Sequence, residues 1–156
     1  MINFLDISYL QYGNKKQARA YQVLTDNLVL EKLSAYHPIL VGTIPIQIDI
    51  ENSDLDIICE IFDKDEFVAR LNTLFGFQKD FTISESATFD AVKANFTIDK
   101  FEIEIFGQNV PTTQQNAYRH MRIEHILLLE KGEKFRQEII ALKNRDIKQN
   151  PLLQSY

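Results

Sequence analysis

The chain holds one cysteine, Cys59, in 156 residues, so no intramolecular disulfide is available to staple it. That usage fits a reducing compartment, and the place of Cys59 inside an apolar strand pattern gives it a packing role. No apolar run approaches the roughly 20 residues that a membrane span needs. Met1 to Tyr12 lacks the basic start and apolar stretch of a secretory signal. The expectation is therefore a cytoplasmic protein with no membrane partner. Positive charge is also scarce: 17 Lys and Arg against 22 Asp and Glu leave a net −5. A long duplex needs a broad basic face to neutralise its phosphates, so duplex DNA is not an expected partner, whereas a single nucleotide is compatible. There is no internal repeat, no low-complexity tract and no linker rich in Pro, Gly or Ser. With 45% apolar residues, the chain can bury one respectable core, and a single compact domain over 1–156 is expected.

What is present reads as alternating elements. From about Lys15 to Leu33, Ala18, Tyr21, Leu24 and Leu28 recur at helical spacing, with Asn14 as a cap and Asn27 as a candidate break. Ile39-Leu40-Val41 reads as a short buried strand. Ile44 to Ile50 alternates apolar and polar around Pro45, and Glu51-Asn52-Ser53 reads as a turn closing a hairpin-like connection. A helix is expected at about Lys64 to Leu74, closed by Gly76, with Phe67, Leu71 and Leu74 as its buried line. Phe77 to Ser84 and Thr88 to Ile98 look extended, and Asp99-Lys100 turns the chain into Phe101 to Phe106. Two helices follow, about Thr113 to Lys131 stopped by Gly132, and about Glu133 to Lys148 stopped before Pro151. Tyr118, Met121 and Leu128, at helical spacing, are expected in the core. This order predicts an α+β fold, a mixed β-sheet with helices packed against it and two C-terminal helices.

The chemistry is concentrated in a short stretch. Gly42-Thr43 is followed after ten residues by Asp54-Leu55-Asp56-Ile57. On a strand, Asp54 and Asp56 point to one face, with Leu55 and Ile57 to the other. Two carboxylates at that spacing repel, and a divalent metal bound by hard oxygen ligands is the economical compensator. Phe101 to Phe106 repeats the pattern: Phe101, Ile103 and Ile105 take the core face, while Glu102 and Glu104 share the other. If the two acidic strands are neighbours, a third carboxylate joins the pair. The alternative is two edge strands with solvated charges. The Gly-Thr turn weighs against that, because glycine lets the backbone approach a ligand and a hydroxyl can bond a phosphate.

These residues carry a resemblance. Gly42-Thr43, then Asp54-Leu55-Asp56-Ile57, then Ile103-Glu104-Ile105 resembles the signature of the DNA polymerase beta-like nucleotidyltransferase superfamily. Four blocks are similar to a small bacterial family of unknown function placed in that superfamily near GrpB-like proteins: Val41 to Ile46, Ser53 to Glu60, Phe101 to Gln108 and Gln115 to Met121. The resemblance implies a nucleotidyltransferase that moves a nucleoside monophosphate from an NTP to a hydroxyl acceptor. Asp54, Asp56 and Glu104, with Glu102 as substitute for Glu104, would hold Mg2+ or Mn2+, and Gly42 with Thr43 would cradle the triphosphate. Thr43 stands where the superfamily usually has serine, and Glu104 where aspartate is commoner. The acceptor is left open between a small molecule, tRNA and a protein hydroxyl. The alternative is a non-catalytic nucleotide-binding or regulatory module that keeps the fold.

Asn116, Arg119 and His120 lie within about one helical turn and are candidates for binding phosphate or base, Arg being suited to a phosphate fork. The competing reading places them on an ordinary polar face. Asp49 could join the metal site or be a solvated charge of the connection. His37, before Pro38, reads as structural or exposed. Lys143, Arg145 and Lys148 form a small basic cluster that a solvated helix face also explains.

Overall fold

The structure, a computed structural model, describes residues 1–149, with side chains as far as residue 145. After a 3-10 turn at Ile7–Tyr12, helix α1 runs Lys15–Asp26. Asn14 starts it with a full capping box: its side chain accepts from the Gln17 amide while Gln17 returns the bond to the Asn14 amide, satisfying two helix-end donors. Asn27 ends it, and Leu28, at φ 53, re-aims the chain into a short α2, Val29–Lys32. Strand β1 is Ile39–Val41, β2 Leu55–Glu60, β3 Lys79–Ser86, β4 Ala91–Ile98 and β5 Phe101–Gln108. Helix α3, Lys64–Phe75, joins β2 to β3, and α4, Asn116–Lys131, and α5, Glu133–Gln149, follow the sheet. The expected stop before Pro151 lies outside the described residues.

The five strands form one mixed sheet in the order β1-β2-β5-β4-β3. Only β2 and β5 are parallel; the other neighbours are antiparallel. The α+β architecture with two C-terminal helices is thus the one expected. One face of the sheet, carrying Leu55, Ile57, Cys59, Ala94, Phe96, Ile103 and Ile105, packs with α1 and α3 into the larger core. The other face carries Ile39, Val41 and Ile58 against Tyr118, Met121 and Leu128 of α4. Cys59 is a fully buried packing residue.

Three expectations need correction. Ile44 to Ile50 is not extended: Ile44–Ile46 is a 3-10 turn with Pro45 in its first positions, and Gln47 closes it at φ 60. Its apolar alternation comes from Ile44, Ile46 and Ile48 being buried in a loop, not from a pleat. The buried line of α3 is Phe67, Leu71 and Phe75, because the helix runs one residue longer and turns Leu74 partly outward. Helix α4 starts at Asn116, since Thr112–Gln114 forms a separate 3-10 turn.

Phe67 is the anchor of α3 on the sheet. Its ring fills the space a Cβ on Gly107 would take, 2.5 Å from Phe67 Cε2, and meets Tyr36 edge-on at 4.8 Å between centroids. Phe67→Ala leaves a cavity between helix and sheet, and urea unfolding should show a loss of about 3–5 kcal/mol.

Candidate functional site

The register of β2 and β5 decides where the acids meet. Asp56 lies directly opposite Glu104, and Leu55 and Ile57 lie opposite Ile103 and Ile105. With the apolar set on the larger core, both carboxylates project to the opposite face. Asp56 is within hydrogen-bond reach of Glu104, and Asp54 is in electrostatic reach of both Glu102 and Glu104. Burial pushes Asp56 far above the carboxylate range, reinforced by the hydrogen bond and charge of Glu104 and by Asp54. Burial, then Glu102 and Glu104, raise Asp54 to about 6, with Lys93 and Lys16 acting against them. Asp56 Oδ1 is buried with no hydrogen-bond partner.

Gly42 follows β1 at φ 93, and a Cβ there would stand 2.7 Å from Asp56 Oδ2. A glycine is required twice over, for the backbone angle and for the approach to the carboxylate. Thr43 is buried, and its hydroxyl donates to Ser53 Oγ at 3.1 Å. Ser53 Oγ also accepts the Ile50 amide at 2.9 Å. The loop is held from outside by three side chains of two helices. Gln17 of α1, itself buried, donates to the Ile44 carbonyl at 2.9 Å. Lys16 bonds the Ile50 carbonyl at 2.7 Å and pairs with Asp49 at 3.5 Å. Arg136 of α5 donates to the Ile46 carbonyl.

A cavity of about 390 Å3 opens between this edge of the sheet and the first turns of α4. Gly42, Thr43, Asp56 and Glu104 line one part of it, and Asn116 and His120 line the helix side. Asp54, Glu102 and Arg119 are not among its lining residues; Glu102 and Arg119 are exposed. Ile58, Phe106, Met121 and Phe89 supply apolar wall. Asp49 is taken by Lys16, and His37 is exposed at φ 50.

Two residues of the site carried no signal readable in advance. Gln115, 3% exposed, donates through Nε2 to the Cys59 and Val110 carbonyls, both at 2.9 Å, and so clamps the start of α4 to the end of β2. Lys93 of β4 reaches Glu104 Oε1 at 2.6 Å. In sequence it is only a lone cation in an extended segment; the strand order makes it a partner of the acids.

Whether the site suits a divalent cation rests on its donors. Among the described residues, no three His, Cys, Asp or Glu side chains form a ready-made metal cluster. The Asp56 and Glu104 pair nevertheless fits one: both offer hard oxygens, one of them orphaned in burial, and the adjoining backbone is kept free of a side chain at Gly42.

The family described as Domain of unknown function (DUF4269) matches residues 22–156, and the chain belongs to that family. No curated protein matches the chain. Among solved structures, it is similar to one described as the structural basis for the activity of a cytoplasmic RNA terminal U-transferase, at 19% identity and a TM-score of 0.46. The likeness covers 69% of this chain and 32% of that one, so this chain spans about a third of that protein's length.

The raised carboxylates set a sign for stability against pH. Folded Asp54 and Asp56 hold protons that the unfolded chain, with ordinary values near 4, has lost. The native state therefore binds more protons above about pH 4, and their contribution to stability falls as pH rises. Asp54 stops contributing to that fall above about pH 6, while Asp56 continues it to higher pH. With a chelator present, Asp56→Asn should gain on wild type in urea midpoint between pH 4.5 and 7.5. A constant difference across that range would show that Asp56 is ionised throughout.

Proposed function

From membership in this family as the premise, we propose that the protein is a divalent-metal-dependent nucleotidyltransferase, moving a nucleoside monophosphate from an NTP to a hydroxyl. The observation that carries the reading is the Asp56–Glu104 juxtaposition on parallel neighbours, with the side-chain-free backbone of Gly42 against Asp56. Its agreement with the Gly-Thr, Asp-x-Asp, Glu order supports reading the family as part of the DNA polymerase beta-like superfamily; nearness to GrpB-like proteins rests on the resemblance of the four sequence blocks alone.

In this reading Asp54, Asp56 and Glu104 hold Mg2+ or Mn2+, with Glu102 at the outer edge of the acidic row. When bound, the metal supplies charge neutralisation and in-line alignment, the main needs of phosphoryl and nucleotidyl transfer. Gly42 and the backbone after it receive the triphosphate. The hydroxyl of Thr43 holds the loop through Ser53, so the cradle is made of main-chain groups. Glu104 takes part in removing the acceptor proton as the oxygen attacks the α-phosphorus. The new P–O bond forms as the α–β anhydride bond breaks, and pyrophosphate leaves with the electron pair. Asn116 and His120 contact the nucleotide from α4, and Arg119, exposed on the same helix, meets phosphate that extends outward. The apolar walls from Ile58, Phe106 and Met121 exclude water. The acceptor is a small molecule, a tRNA end or a protein hydroxyl.

A second reading is supported by Lys93. With an ammonium on Glu104 and Asp56 pushed by burial toward keeping its proton, the facing pair is largely neutralised without a metal. A non-catalytic nucleotide-binding module needs nothing more.

Two measurements separate these readings. Mg2+ with an NTP should raise the melting temperature by several degrees in wild type and by little in Asp56→Asn, which keeps the shape and removes the charge. Equal shifts in both proteins would remove the acids from the site. Label transferred from an NTP to any molecule of a bacterial extract supports the enzyme; a thermal shift without transfer supports the module. Arg119→Ala should weaken NTP binding roughly fivefold to tenfold, as loss of one charge-assisted contact does; unchanged affinity would make that face scaffold only.

A further inference from the structure

Lys93 is flanked in register by Ser84 on β3 and Phe106 on β5. Glu104 is two residues from Phe106, on the same face, so it is the diagonal cross-strand neighbour of Lys93 and within reach of a long side chain. The contact made is short, 2.6 Å from Nζ to Glu104 Oε1, with the lysine side chain 40% exposed and that of the glutamate 16%. Asp56 and Asp54 act on the same ammonium. The lysine thus stands at the solvent side of the acidic row, held by the most enclosed end of its own salt bridge.

We propose that Lys93 is a tethered counter-cation that competes with a divalent metal for Glu104 and sets the order in which ligands enter. The inference rests on the metal-dependent reading of the site and adds how that site is regulated. A bare divalent ion must take Glu104 from an ammonium and then sit beside the positive charge it has displaced, which costs Coulomb energy in a partly buried place. A metal arriving with a polyphosphate meets neither penalty in full, because a phosphate oxygen receives the released ammonium. Lys93 therefore lowers affinity for the free ion and raises the preference for the metal–triphosphate complex. In the absence of nucleotide it keeps the carboxylates together without scavenging metal.

The probe is Mn2+, first alone and then as its preformed complex with inorganic triphosphate, titrated by calorimetry into the full chain. Wild type, Lys93→Met and Lys93→Arg are compared, and Lys93→Gln replaces the methionine variant if circular dichroism shows that it does not fold. Loss of the charge should tighten binding of Mn2+ alone by about tenfold or more. It should also lower the ratio of affinities, complex over bare ion, while Lys93→Arg stays near wild type in both. Adding Glu104→Gln to Lys93→Met should erase the gain. If Mn2+ binds wild type and Lys93→Met equally, the lysine has no part in metal affinity and this inference fails, while the metal-dependent reading stands. If Mn2+ binds neither protein in either form, both fail together.

Discussion

The parallel pairing of β2 with β5 is the constraint on which the rest of the molecule depends. It sets Asp56 against Glu104, a contact that two carboxylates in water would never choose. The reason they accept it lies on the reverse face. Leu55, Ile57, Cys59, Ile103 and Ile105 are all fully buried there, and burying each large aliphatic side chain contributes about 1.5–3 kcal/mol. A slip of one residue in either strand would turn its whole apolar set to the acidic side. The sum over both strands exceeds the cost of holding a protonated carboxyl or an ion pair, so the register is decided by the core and the acids follow. The acidic site is a by-product of packing in its position, though not in its composition.

Much of this was legible in the residues because both strands alternate with period two where the acids lie, from Asp54 to Ile57 and from Phe101 to Ile105, before Ile58 and Phe106 bring apolar side chains to the acidic face. Asp54, Asp56, Glu102 and Glu104 announce a face, and whether they meet depends on one adjacency, which the order β1-β2-β5 supplies. The cap at Asn14, the break at Asn27 and the stop at Gly132 were equally readable, since each is local chemistry. Other features were not. Ile44, Ile46 and Ile48 alternate like a strand, yet they are buried in a loop whose backbone carbonyls are taken up by Gln17 and Lys16 of α1 and Arg136 of α5. The partners that hold that loop open are up to 90 residues apart along the chain, and no local pattern reports them. Lys93 is the same case: its meaning is cross-strand and diagonal, so it becomes visible only once β4 is placed beside β5.

The loop between β1 and β2 shows how a small motif can be stiffened for one task. Thr43 is buried and spends its proton on Ser53, which in turn accepts the Ile50 amide. The hydroxyl that a sequence reading assigns to a ligand is thereby an internal brace. What remains available is the backbone at Gly42, where a Cβ would strike Asp56. The buried place of Thr43 and the bond to Ser53 mean that its hydroxyl is needed by the protein itself.

On the sheet side of the cavity Asp56 and Glu104 stand next to Ile58 and Phe106, and α4 brings Met121 and a further carboxylate, Glu124. Gln115 fixes the helix that closes the space, because its amide spans the ends of two separate segments, at Cys59 and Val110. Movement of α4 would break both bonds and strand a buried amide, at about 1–3 kcal/mol for an unsatisfied group. Gln115 thus ties the helix wall of the cavity to the end of β2. Phe89, 61% exposed on the turn between β3 and β4, forms part of its rim. That turn is held at the surface, by the Lys64–Asp90 ion pair at 2.6 Å and by Gln108 donating to the Phe89 carbonyl at 3.3 Å, where such contacts contribute little.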